Sequence, residues 1–138
     1  MIPNLEKATA LRAVPLFADL GADELLALAA LSDDLTVGEG ARIFAEGEPG
    51  DALFVVVEGR VRVERKAEPV AELDAGECFG ELALLDDGPR SATVVAAKPT
   101  ELLRIGRDDF LDTLSMYPAV GRAVLQILAR RLRGDGDR

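Results

Sequence analysis

Between Ser32 and about Ile105 the chain is a series of short apolar runs, punctuated at close intervals by turn signals. The turns are Gly38-Glu39-Gly40, Glu46-Gly47-Glu48-Pro49-Gly50-Asp51, Glu58-Gly59, Asp74-Ala75-Gly76-Glu77, Asp86-Asp87-Gly88-Pro89 and Lys98-Pro99. Between them lie Arg42–Phe44, Leu53–Val57, Val61–Arg65, Val70–Leu73, Thr93–Ala96 and Leu102–Ile105. Many short strands at such spacing predict a sandwich, barrel or jelly roll. Val61, Val63 and Arg65 alternate with Arg62 and Glu64, the period of a strand with one wet face. Leu53–Val57 is apolar throughout and fits a strand buried on both faces.

Helical texture flanks this region. In residues 1–31, Leu25, Leu28 and Leu31 follow Asp23-Glu24, acids suited to a first helical turn. Pro15-Leu16-Phe17 and Leu20 suggest a short apolar turn before that helix. In residues 106–133, Asp108-Asp109 precede Phe110, Leu111 and Leu114. Pro118 then opens a further helix striped by Val120, Val124, Ile127, Leu128 and Leu132. The expected fold is mainly β, a jelly-roll-like roll over 32–105 with an N-terminal helix and two C-terminal helices. It forms a single domain over 1–138.

Composition removes several chemistries. The 138 residues contain no histidine, so His-ligated metals and His-activated nucleophiles are excluded. A jelly-roll enzyme of the cupin type, which holds its metal with histidines, is excluded with them. No nucleophile or base stands out, and neither a catalytic role nor a metal site is expected. Cys78 is the single cysteine, so neither an intramolecular disulfide nor a CxxC pair is possible. It reads as a small core residue at a strand end. A net charge of −9 argues against DNA binding by this chain. No apolar run approaches the roughly 18 residues of a membrane span, and no signal peptide is visible, so a cytoplasmic protein without membrane insertion is expected.

The segment Phe79-Gly80-Glu81-Leu82-Ala83-Leu84-Leu85-Asp86-Asp87-Gly88-Pro89-Arg90-Ser91-Ala92-Thr93 carries the chemistry. A glycine lets the backbone approach a ligand. The helix formers after it last only about one and a half turns, and the N–H groups of such a helix start suit an anion. Arg90 can bind phosphate bidentately, and Ser91 adds a hydroxyl. Glu81 would repel a bare phosphate but would accept from a sugar hydroxyl beside one. The same residues also fit a surface turn with a solvated Glu81–Arg90 ion pair.

This segment resembles the phosphate-binding cassette of cyclic nucleotide-binding domains, with FGE(L/I)AL, a spacer, then PR-small-AT. That family includes the catabolite activator protein, kinase regulatory subunits and cyclic-nucleotide-gated channels. Val14-Pro15-Leu16-Phe17, Glu46–Asp51, Val57–Val61 and Arg107–Phe110 also have the family's character. The resemblance implies a double-stranded β-helix, the β-roll, with the cassette at 79–93 and a C-terminal lid. Gly80 would lie under the cyclic phosphate, and Glu81 would accept from the ribose 2′-hydroxyl. The N–H groups of Leu82 and Ala83 would face the phosphate, with Ala92 beside the pocket. Arg90 would pair with an exocyclic oxygen, and Ser91 would add a contact near phosphate and purine. Val61, Val63 and Thr93 would wall the base. Arg130 or Arg131 would stack on the purine, or else be solvated charges favouring the helix dipole.

Serine after the cassette arginine inclines the ligand to cAMP, with cGMP the other possibility; no further cofactor is implied. The implied function is a cyclic-nucleotide sensor signalling through C-terminal helix movement. It would act on an effector domain or partner outside this chain, as a monomer or weak dimer. The alternatives are the sensor part of a Crp/Fnr-type transcription regulator and an interaction module that lost its ligand.

Overall fold

A computed structural model describes residues 2–80, 83 and 88–132; within the last helix the side chains of Ala123, Val124, Ile127, Leu128 and Arg130–Leu132 are outside that description. The helical segment expected over 1–31 consists of helix α1 (Asn4–Arg12), a 3-10 turn at Pro15–Phe17 and helix α2 (Ala22–Leu31). Eight strands follow: β1 (Asp33–Val37), β2 (Arg42–Phe44), β3 (Ala52–Glu58), β4 (Arg60–Arg65), β5 (Glu68–Asp74), β6 (Cys78–Phe79), β7 (Thr93–Ala96) and β8 (Thr100–Gly106). Helices α3 (Arg107–Met116) and α4 (Pro118–Leu132) complete the chain's described part.

The strands form two four-stranded antiparallel sheets, ordered β1-β8-β3-β6 and β2-β7-β4-β5. Because side chains alternate across a strand, β3 serves two cores at once. Ala52, Phe54 and Val56 point between the sheets, where they meet Val61, Val63, Leu73, Phe79, Val94 and Leu102. Leu53 and Val55 point the other way. With Leu103, Ile105 and Cys78 they form the floor on which Leu11, Phe17, Leu25, Leu28, Phe110 and Val120 pack. A strand with a core on each face must be apolar at every position, and this is why Leu53–Val57 lacks alternation. The second sheet has one core only, so β4 keeps its wet face.

Strand β1 falls outside the expected apolar runs, and α1 lies within the helical segment expected over 1–31 but is a helix separate from α2, where one N-terminal helix was expected. β1 is an edge strand paired only with β8, and its Leu35 is exposed. It starts on two aspartates, so it lacks the apolar run that marks its neighbours. α1 buries just Lys7 and Leu11. The Lys7 ammonium is inside, donating to the Ser32 carbonyl at 2.7 Å, and the Ile2 N–H donates to the Asp34 carboxylate at 2.8 Å. α1 is thus held by polar links to the start of β1 as well as by packing.

Candidate functional site

The cassette begins where β6 ends. Gly80 has φ +79°, a left-handed conformation that costs an L side chain roughly 1–2 kcal/mol. A Cβ there would also lie 2.7 Å from Arg90 Nη1 and 3.2 Å from the Ala52 carbonyl oxygen. Both constraints demand glycine. The Gly80 carbonyl accepts from the Ala83 N–H at 3.1 Å, closing a tight turn. Glu81 and Leu82 lie outside the described residues.

The returning arm pairs with the turn between β2 and β3. The Arg90 N–H donates to the Glu48 carbonyl at 2.7 Å, the Gly47 N–H donates to the Arg90 carbonyl at 2.8 Å, and Pro49 bridges Pro89. The Glu46 N–H donates to the Thr93 hydroxyl at 2.9 Å. Four ties on the arm fix where Arg90 starts from.

The Arg90 side chain turns inward and is only 9% exposed. Nη1 donates to the Gly80 carbonyl at 3.3 Å and Nη2 to the Ala52 carbonyl at 3.0 Å. Cζ sits 4.0 Å from the centre of the Phe44 ring. Nε is buried and has no hydrogen-bond partner among the described residues. Burial pushes the guanidinium below its usual pKa, helped by Arg104 and opposed by Asp51 and Glu48. Arginine stays protonated in proteins, so the group remains a cationic donor. A buried donor without a partner costs about 1–3 kcal/mol, and an anion would relieve that cost. The arrangement therefore suits an anionic group close to the Gly80 backbone.

The remaining expected residues divide. Ser91 is exposed on the arm next to Arg90. Thr93 is half-buried, its hydroxyl occupied by Glu46. Val61, Val63 and Ala92 are buried in the core between the sheets. Ala83 is buried, and its N–H, expected to face a phosphate, is used by Gly80. Arg130 and Arg131 belong to α4, but their side chains are outside the described set. Sequence reasoning missed Phe44, Gly50 and the Ala52 carbonyl as parts of the site. The Gly50-Asp51 pair in the family-like turn was the available signal. Among the described residues no group of three or more acidic or sulfur ligands is placed to hold a metal.

The sequence model described as the cyclic nucleotide-binding domain matches residues 35–117, which span the two sheets, the cassette and α3. The chain belongs to the cyclic nucleotide-binding domain family. It is 42% identical over 125 residues to the cyclic AMP receptor protein of Thermus thermophilus, covering 86% of this chain and 57% of that relative. It is 41% identical over 122 residues to a cyclic nucleotide-gated potassium channel of Rhizobium etli, covering 88% of this chain and 34% of the channel. The chain thus spans between a third and three fifths of these relatives. The N-terminal domain of a transcriptional regulator from Streptomyces coelicolor superposes with a TM-score of 0.82 at 39% identity, covering 91% of this chain and 92% of that one.

Proposed function

We propose that this domain is a sensor that binds cAMP in preference to cGMP and signals by moving its C-terminal helices against an effector. The carrying observation is Arg90: a buried guanidinium, tied to the Gly80 and Ala52 carbonyls, whose Nε has no partner among the described residues. That group suits the cyclic phosphate. Glu81, one residue on from Gly80, is the carboxylate for the ribose 2′-hydroxyl. The backbone of Leu82 and Ala83 and the Ser91 hydroxyl complete the phosphate contacts, with the Ala83 N–H shared between Gly80 and the ligand. Arg130 or Arg131 caps the purine from α4. We assign the domain no catalytic step, and place it in the cytoplasm.

The cAMP preference rests on Ser91 and on similarity to a protein named as a cyclic AMP receptor. The match to the N-terminal domain of a transcriptional regulator from Streptomyces coelicolor favours a second reading, in which this is the sensor portion of a transcription regulator. Calorimetric titration with cAMP, cGMP and cyclic dinucleotides is the test. One cAMP per chain, bound more tightly than the others, is expected; absence of binding by all of them would overturn the proposal.

A further inference from the structure

We propose that Phe44 is a positioning residue for Arg90, and that its ring sets the affinity of the site by holding the guanidinium ready for the phosphate. The inference rests on the nucleotide-binding reading above and names a residue that reading does not use. Phe44 is the last residue of β2, and its ring is wedged against two others. Its centre lies 5.9 Å from that of Phe54 on β3 and 5.8 Å from that of Phe79 on β6; Phe54 and Phe79 stack at 5.3 Å with an 11° tilt. Phe44 is tilted by 45–50° against this stacked pair, and the three rings, from three strands, make a cluster that joins the two sheets. Phe44 is the least buried ring of this cluster, and the Arg90 Cζ rests over it at 4.0 Å.

Gly50 presses on the same guanidinium. A Cβ on Gly50 would fall 2.2 Å from Nε and 2.4 Å from Cζ, and its backbone has no left-handed strain of its own. The arginine therefore sits in a narrow slot made by an aromatic face and a bare backbone. The Gly80 and Ala52 carbonyls fix its rotation in that slot. A long, flexible side chain ordinarily loses much freedom when it grips a ligand. Here that freedom is already lost. The ring's negative face also replaces part of the hydration that burial removes from the cation. Leucine would fill much of the ring's volume but offers no such face.

The experiment combines cAMP titration with NMR of the arginine Nε–H groups. Phe44→Leu, and Phe44→Met as a second variant without an aromatic face, should bind cAMP roughly tenfold more weakly, as expected for a desolvated cation–π contact. They should still melt cooperatively. Phe44→Tyr should bind within about twofold of wild type, because the face is kept. In an Arg90→Ala background, Phe44→Leu should change affinity by less than about twofold, since coupling needs both partners.

Without nucleotide, the Arg90 Nε–H of the wild type should be shifted upfield by the ring and exchange slowly with water. Both properties should vanish in Phe44→Leu. Wild-type affinity in Phe44→Leu, equal losses in Leu and Tyr variants, or the same loss without Arg90 would overturn the proposal. If the wild type binds no cyclic nucleotide, the reading of the ligand fails. The NMR signal then decides alone whether Phe44 holds Arg90, and an unchanged Arg90 resonance in Phe44→Leu overturns it.

Discussion

The guanidinium of Arg107 donates to the carbonyl of Ala83 at 3.1 Å, and this joins the first turn of α3 to the cassette. The Arg107 N–H also donates to the Asp51 carbonyl at 2.7 Å, at the entry to β3. One residue thus ties the C-terminal helices to both chain segments that hold Arg90. A ligand that rearranges the cassette acts directly on this tie, and it shifts the helices only by binding one arrangement better than the other. Adding cAMP should therefore raise hydrogen-exchange protection in the cassette and in α4. In Arg107→Ala the cassette should still gain protection while α4 gains much less. Equal gains in α4 with and without Arg107 would show that the signal takes another route.

Arg90→Ala removes a buried cation and its two hydrogen bonds, one buried and one part-buried. Loss of a charge-assisted bidentate contact should weaken cAMP binding by about ten- to two-hundredfold. The Ala52 and Gly80 carbonyls lose a donor, so stability should also fall by about 1–3 kcal/mol, with the fold retained. Calorimetry and thermal melting report the two effects separately. An unchanged affinity would remove Arg90 from the phosphate site.

Glu81 makes a separate claim, on the sugar rather than the phosphate. Wild type should prefer cAMP over its 2′-deoxy analogue by about tenfold or more, the size of a hydrogen bond to a charged acceptor. Glu81→Gln should narrow that gap. Equal binding of the two nucleotides by the wild type would leave Glu81 with some other role.

The parts of the fold that sequence made legible are those where one residue type answers one environment. Leu53–Val57 is uniformly apolar because β3 feeds two cores, and Val61 and Val63 alternate because β4 feeds one. Strand β1 is hidden because it is an edge strand with an exposed Leu35; residues 1–31 are legible as helical, but α1 does not stand out as a separate helix because a buried lysine replaces part of its apolar stripe. The site divides similarly. Gly80 and Arg90 are legible because a left-handed turn with a close neighbour needs glycine, and a buried cation that reaches two backbone carbonyls through a planar fork needs arginine. Phe44 is not: in sequence it is one aromatic residue in a three-residue strand. Its contact with Arg90 exists only because the antiparallel pairing of β2 with β7 and of residues 47–49 with 89–90 brings 44 and 90 together.

The N-terminal attachment has an acid-sensitive element. The Ile2 N–H, first among several causes, holds the Asp34 carboxyl below its usual value of 3.8. A depressed carboxyl stabilises the fold fully above its unfolded-state pKa, and that contribution disappears as pH falls through the lower folded-state value. Exchange of the α1 amides, corrected for intrinsic rates, should therefore accelerate as pH falls from about 5 through 3.8 and below, ahead of the β3 and β8 amides. Asp34→Ala should show faster α1 exchange already at neutral pH. Identical protection of α1 across that range would mean that packing of Leu11 alone retains the helix.

The β4–β5 turn is a place where the native sequence gives up stability. Lys66 and Ala67 have φ of 52° and 66°, so both central residues are left-handed, as a two-residue hairpin turn requires. Neither is glycine or asparagine. The tip is held by the Lys66 N–H donating to the Glu46 carboxylate at 2.9 Å, and Glu46 in turn ties to Thr93 beside the cassette. Glycine at 67 removes the clash between Cβ and backbone without touching that latch. Ala67→Gly should stabilise the domain by about 1 kcal/mol, after the entropy that glycine adds to the unfolded chain is offset. For a domain of this size that is a rise of roughly 3–5 °C in Tm, with cAMP affinity unchanged. A fall in Tm would mean that unfolded-state entropy outweighs the relief of the left-handed conformation at this turn.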